Sequence, residues 1–288
     1  MSDLPALRYS RPRRLAEALT ALARPGACVY AGGTDLLVAL AERRPWVRFV
    51  REVVDIKALE AARGITRVDG VLRIGALVTA DELMTHAGVR RHAPALAEAA
   101  SQTAAPALRR RGTVGGNLVT PHPAGDVTTA LVALGAVVEV ADGRRVRALP
   151  IAQVLTSQAE TWPRQRLILA VRVPRARRSA FEKLAARGAF GRAVVAVAVV
   201  VYAPREQVAL DGRREHGALD GPRVQVALGG MRARPCLAPA TAVAWRHGGD
   251  LVAALAADCD AAGEARASAH RLRMAAVLAT RAFTRARA

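Results

Sequence analysis

The sequence predicts an α+β fold in two parts, built from short strands and Ala-rich helices. Three observations carry this. The dipeptides Asp69-Gly70 and Asp142-Gly143 each sit between short apolar runs, which is the signature of a tight hairpin. The segments 79–85, 94–101 and 127–134 read as helices around and between these hairpins. The last 50 residues are Ala-rich, with Leu251, Val252 and Leu255, then Leu272, Ala275, Ala276 and Ala279 at helical spacing.

Taken in order, Ser10 is expected to cap a helix over 13–23, ended by Pro25-Gly26. Cys28 to Tyr30 reads as a short buried strand running into Ala31-Gly32-Gly33, with a helix over 35–42 after it. Strands are expected at 53–56, 65–68, 71–74, 137–140, 144–149 and 167–173. The stretch 111–126 is glycine-rich and precedes the apolar helix 127–134. The basic, turn-like segment 175–178 marks the division between the two parts. Beyond it, 181–184, 193–202 and 224–228 are strand-like, and 205–222 reads as an exposed loop.

Composition removes several functions. A chain of 288 residues, 52% hydrophobic, can bury a sizeable core and is not a disordered protein. Its longest apolar run, 193–203, is about half of the roughly 20 residues a membrane helix needs. Residues 1–14 hold charges and prolines but no apolar stretch, so no secretory leader is expected and a cytoplasmic location is. Cys28, Cys236 and Cys259 lie far apart, which argues against an intrinsic zinc or iron–sulfur site and favours buried thiols. The net charge of +19 would ordinarily raise nucleic acid as a partner. However, all but two of the 43 basic residues are scattered arginines, and aromatic residues for stacking are scarce. An acidic protein partner fits this charge better than nucleic acid does.

The chain has no Gly-x-Gly-x-x-Gly, no P-loop lysine, no His-Glu-x-x-His and no Gly-x-Ser-x-Gly. Its six histidines show no metal-ligand spacing. Two glycine pairs remain, Ala31-Gly32-Gly33-Thr34-Asp35 and Thr113-Val114-Gly115-Gly116-Asn117. Glycine pairs permit positive φ and close approach of a ligand, and free N–H groups beside them attract anions. Taken alone, either motif is equally well an ordinary turn. Two of them, about 80 residues apart, could grip a diphosphate from two sides. Thr34, Thr113 and Asn117 would then offer hydroxyl and amide groups, and Asp35 and Asp126 would accept from sugar hydroxyls. The physical reading is a nucleotide-diphosphate cofactor held between two lobes.

The order of these motifs resembles the FAD-binding subunit of the molybdenum hydroxylases, the group of xanthine dehydrogenase, aldehyde oxidase and aerobic carbon monoxide dehydrogenase. The resemblance runs from Tyr9-Ser10-Arg11-Pro12 through Ala31 to Leu37, Val54-Asp55-Ile56, Ile74-Gly75-Ala76 and Val78-Thr79. It continues through Arg111 to Leu118, Pro123 to Asp126, Phe181-Glu182-Lys183, Ala227 to Gly230 and Ala267 to Ala269. It implies a two-lobed FAD-binding domain of the vanillyl-alcohol-oxidase/xanthine-dehydrogenase type, with lobes at 1–57 and 58–176. A small α/β C-terminal domain at 177–288 follows. By the same resemblance, Ala31, Gly32, Gly33, Thr34 and Asp35 wrap the FAD diphosphate together with Thr113, Val114, Gly115, Gly116 and Asn117. Val29, Tyr30 and Leu36 flank the first loop, Asp126 hydrogen-bonds the cofactor, and the backbone of Ile168 meets the flavin ring. Lys183 approaches the polar edge of the flavin.

The chain departs from the family wording at Arg110, where relatives often carry Asn, and at His122, where a small or acidic residue is common. Another departure is Phe190-Gly191-Arg192, where an acidic residue often precedes the next strand. The resemblance further implies a division of labour. A large subunit carries the molybdenum cofactor, a small subunit carries two [2Fe–2S] clusters, and the flavin subunit passes electrons to an external acceptor. The assembly is then a heterotrimer or its dimer. A stand-alone FAD-dependent oxidoreductase and a basic binding protein that merely keeps the fold are the alternative readings.

Overall fold

The computed structural model describes residues 6–120, 122–143, 145–156, 166–176, 178–187, 191–202, 223–260 and 267–287. Three sheets organise the described residues. The first is small and parallel, in the order β1 (Arg8–Ser10), β3 (Glu52–Asp55), β2 (Ala27–Tyr30). The helices α1 (Leu15–Leu22) and α2 (Leu36–Ala41) make the crossovers that parallel strands require. Ser10 does not cap α1 as expected. It lies in β1, where its hydroxyl donates to Glu52 at 2.8 Å, and the residue before the helix is Arg14. A three-residue strand reading Arg-Tyr-Ser shows no alternation, so β1 has no signature in the sequence. Polar side chains hold it: the Tyr9 hydroxyl donates to Asp55 at 2.6 Å, and Arg8 pairs with buried Glu52.

The second sheet is antiparallel, in the order β4 (Ile65–Val68), β5 (Val71–Gly75), β8 (Arg166–Val173), β6 (Val137–Asp142), β7 (Arg145–Pro150). The first hairpin turns through Asp69 at φ 50° and Gly70 at φ 77°, the pair of positive values a two-residue turn demands. Between β5 and β6 run α3 (Ala80–Thr85), α4 (Ala87–His92), α5 (Pro94–Gln102), α6 (Pro106–Arg109), α7 (Val114–Val119) and α8 (Asp126–Ala133). Thr79 closes a capping box with Glu82 at the start of α3, as its sequence suggests. Within the glycine-rich stretch 111–126, α7 occupies the middle. After β7 comes α9 (Ile151–Thr156).

The third sheet is antiparallel, in the order β12 (Cys236–Leu237), β11 (Arg223–Gly229), β10 (Ala193–Tyr202), β9 (Arg178–Ala185). Arg178 already belongs to β9, so the turn-like segment is shorter than expected. The strand β10 explains its own unbroken apolar sequence. Ala196, Ala198 and Val200 enter the core shared with the second sheet, whereas Val195, Val197 and Val199 enter the core under α10 (Pro239–His247), α11 (Leu251–Asp260) and α12 (Ala269–Arg287). A strand buried on both faces needs no polar side.

Arg285 near the end of α12 reaches Glu98 of α5 and Glu182 of β9, tying the third sheet to the helices of the second. Of the cysteines only Cys259 is buried, while Cys28 and Cys236 are half-buried. The loop read at 205–222 lies outside the described residues, as do Pro121, Arg144, Arg177 and Phe190. Among the described residues, no helix is long and apolar enough to cross a membrane.

Candidate functional site

A cavity of about 330 Å³ opens where the first sheet meets the helices that follow β5. Its size is at the lower end of ligand cavities, which run roughly 300–1,000 Å³. Tyr30, Ala31 and Gly32 form one wall. Lys57, over the Tyr30 ring, belongs to the same wall; Leu77, Val78, Thr79, Arg110, Arg111 and Thr113 form the other, with Arg63 beside them. The two glycine motifs therefore meet at one cavity. A Cβ on Gly32 would collide with the carbonyl oxygen of Arg111, so the two loops abut there backbone to backbone.

The first motif is an open turn between β2 and α2. Gly33 takes φ 77°, and the ring of Tyr30 packs on its bare Cα. The N–H groups of Gly32, Gly33, Thr34, Asp35 and Leu36 find no protein acceptor among the described residues. The second motif differs. It forms the first turn of α7, and Thr113 caps it by accepting from the Gly116 N–H at 3.2 Å. Val114 N–H donates to the Val78 carbonyl at 2.9 Å, Gly115 N–H to Ala76 at 2.8 Å and Asn117 N–H to Thr113 at 2.9 Å. A side chain on Gly115 would press on Ala76, whereas one on Gly116 would meet only the Thr113 hydroxyl. Gly115 thus serves packing, and Gly116 leaves an approach open.

Four of the sequence candidates line the cavity: Tyr30, Ala31, Gly32 and Thr113. Around them, Gly33 lies under Tyr30, Thr34 donates to the exposed Asp35 at 3.3 Å, and Leu36 is buried in a small core of its own. Val29 packs against the main core, where Val114 and Ile168 are buried. The Oδ1 of Asn117 accepts from the Thr128 hydroxyl at 2.5 Å.

Asp126 and Lys183 stand together away from the cavity lining. Lys183 Nζ donates to Asp126 Oδ2 at 2.6 Å and to the Gln102 carbonyl at 2.9 Å, and both side chains are 5% exposed. Burial pushes the Asp126 carboxyl up to about 6 against the pull of the Lys183 ammonium. The nearby Thr103 hydroxyl also pulls the value down, yet the second oxygen, Oδ1, is buried and has no hydrogen-bond partner of good geometry among the described residues. An unpaired buried acceptor costs free energy unless something donates to it. His122, half-buried, has its pKa lowered by burial and by Arg192, which leaves a neutral imidazole whose Nδ1 accepts from the Ala124 N–H at 3.1 Å. Among the described residues, no cluster of His, Cys, Asp or Glu could hold a metal ion.

Sequence reasoning missed Lys57, Arg63, Gly64, Leu77, Val78, Thr79, Glu82, Arg110 and Arg111 as lining residues. One available signal was Lys57, one of only two lysines in an arginine-rich chain.

Residues 5–176 match the family model described as the FAD binding domain in molybdopterin dehydrogenase. The xanthine dehydrogenase FAD-binding subunit of Escherichia coli O157:H7 is 40% identical over 145 residues, 50% of this chain and 49% of that protein. The carbon monoxide dehydrogenase medium chain of Hydrogenophaga pseudoflava is 33% identical over 147 residues, 49% of this chain and 50% of that protein. The aligned region thus spans about half the length of the curated relatives. In fold, the chain matches a carbon monoxide dehydrogenase structure from H. pseudoflava with a TM-score of 0.81 at 24% identity, covering 99% of this chain and 98% of that one. It matches quinoline 2-oxidoreductase from Pseudomonas putida 86 with a TM-score of 0.80 at 24% identity over the same shares. A domain whose two glycine motifs converge on one cavity, with a family match across more than half of its length, belongs to the FAD-binding domain family of the molybdopterin dehydrogenases.

Proposed function

We propose that this chain is the FAD-carrying electron-transfer subunit of a molybdenum hydroxylase. It accepts electrons from the [2Fe–2S] clusters of a small partner subunit and passes them to an external acceptor. A large partner subunit holds the molybdenum cofactor, in a cytoplasmic heterotrimer or its dimer. The observation that carries this reading is the meeting of both glycine motifs at one cavity. We read residues 1–57 and 58–176 as the two lobes of the FAD-binding domain and 177–288 as the C-terminal domain.

The residues present fit FAD. Five N–H groups at 32–36 with no acceptor among the described residues suit phosphate oxygens, Gly116 leaves an approach that a Cβ would narrow, and Oδ1 of Asp126 could accept from a donor on the cofactor. Bound FAD supplies a redox centre that can exchange electrons singly or in pairs. The chain supplies the rest. The Gly32–Leu36 turn would bind the diphosphate, Thr113 and Asn117 would border it, and the backbone at Ile168 would serve the ring. Lys183, a buried cation, favours the electron-rich form of whatever group stands near it.

The test is to incubate the full chain with excess FAD, alone and co-expressed with candidate large and small subunits. After desalting, the released cofactor is identified by chromatography. The expected result is one FAD per chain. Folded chain without flavin in both forms overturns the reading and favours the basic binding protein. A yellow chain that never joins the partner subunits favours the stand-alone flavoenzyme.

A further inference from the structure

The turn at 31–35 brings N–H groups to a diphosphate but no positive charge. The charge beside it comes from two residues outside both motifs, one from each wall of the cavity. Lys57 follows β3 and Arg111 precedes α7. Both converge on Tyr30. The Lys57 ammonium sits 3.8 Å from the centre of the ring, and Arg111 Nη2 lies 3.5 Å from its hydroxyl. Each also reaches a carbonyl of the turn, Lys57 to Ala31 at 3.4 Å and Arg111 to Gly32 at 3.3 Å.

These carbonyl contacts are long. Charge-assisted hydrogen bonds run about 2.7–2.9 Å, so a phosphate oxygen is a stronger acceptor for either cation. Asp55 aims Lys57, accepting from its ammonium at 3.0 Å and from its backbone N–H at 2.9 Å. Burial raises the Asp55 carboxyl, but hydrogen bonds from Tyr9 and Lys57 outweigh it and hold the group below its ordinary value as an anion. Arg63 and Arg110 add positive charge to the lining, and its one acid, Glu82, is engaged by Thr79.

We propose that Arg111 and Lys57 form a two-cation clamp on a diphosphate seated at the Ala31–Asp35 turn, selecting a flavin dinucleotide over a flavin with a single phosphate. The inference rests on the reading that FAD occupies this turn. Two linked phosphates engage both cations, one from each wall, whereas a single phosphate engages one.

The experiment titrates FAD, FMN and ADP into the full chain and into the variants Arg111→Met, Arg111→Lys, Lys57→Met and the double Met variant. Circular dichroism checks folding. Each Met variant should bind FAD and ADP about tenfold more weakly, the size of one charged hydrogen bond. Arg111→Lys should fall between, and the preference for FAD over FMN should narrow. Added salt should weaken FAD binding more in the wild type than in the double variant. Folded Met variants with wild-type affinity for FAD and ADP overturn the clamp, as does an equal loss for FMN. A wild type that binds ADP but no FAD overturns the parent reading alone, and the ADP series still decides the clamp. Binding of neither overturns both.

Discussion

In the Ala31–Asp35 turn, the N–H groups from Gly32 to Leu36 face no acceptor among the described residues, whereas from Val114 to Asn117 every N–H is satisfied within the chain. The two segments share a glycine pair and a threonine, and in sequence they look alike. The first is a donor surface beside a cavity. The second is a packed turn, pinned above by Ala76 and Val78 and held at its side by Thr128 of α8. Gly-Gly in a sequence therefore signals close approach and leaves open what approaches. Accounting for the N–H groups distinguishes a ligand from another piece of backbone.

Breaking the support of the second motif should produce the largest effect. The helix α8 carries both Thr128 and Asp126, and Lys183 compensates Asp126 in a buried site. Lys183→Met should cost roughly 3 kcal/mol in denaturant unfolding, because the stranded carboxylate must stay charged or take up a proton. A loss below about 1 kcal/mol would show the pair to be dispensable to the scaffold.

The same carboxyl gives a pH signature. Its folded value, near 6, lies above its ordinary 3.8, so the folded chain holds this proton more tightly. The resulting stability is full below about pH 4 and is lost as pH rises through 6. Wild-type stability minus that of Asp126→Asn should therefore fall by roughly 2–3 kcal/mol between pH 4 and 7. A difference that stays flat with pH would mean that Asp126 titrates normally.

Next comes the seam between the motifs. Gly32→Ala forces a methyl group into the Arg111 carbonyl and should cost about 1–3 kcal/mol, with loss of bound FAD. Unchanged melting would show that the loops part freely. Gly116→Ala should have the smallest effect on stability, within about 0.5 kcal/mol, because only a hydroxyl is near. Its effect belongs in binding, as a lower flavin content at equal stability. If melting drops instead and flavin content holds, the assignment of Gly116 to the ligand side fails.

Much of this was legible in the sequence because local chemistry wrote it there. The Asp69-Gly70 hairpin needs positive φ twice, and Thr79 with Glu82 forms a complete cap. The apolar runs at 167–173 and 193–202 read as strands, and both are. The hidden parts depend on distant partners. The strand β1 exists because Glu52 and Asp55 receive Ser10 and Tyr9 from more than 40 residues away. The short helices α4, α6 and α9 are too brief to show periodicity. Within the site, the glycine motifs announced themselves. Arg111 and Lys57 did not, since one arginine among 41 is invisible until the fold sets it against Gly32.

The pairing of Lys183 with Asp126 bears on where this protein can be cut. The family match ends at residue 176, but the cation that balances a buried carboxylate of that region arrives on the next strand. Glu98, too, takes the Phe181 N–H and the guanidinium of Arg285, both from beyond 176. A truncation at the matched boundary would leave two carboxylates without their counter-charges and bare the faces of α5 and α8. Any segment transplanted between proteins therefore has to include β9 and α12. A graft of the matched segment alone would carry the wording of the cofactor site without the charge balance that holds it together.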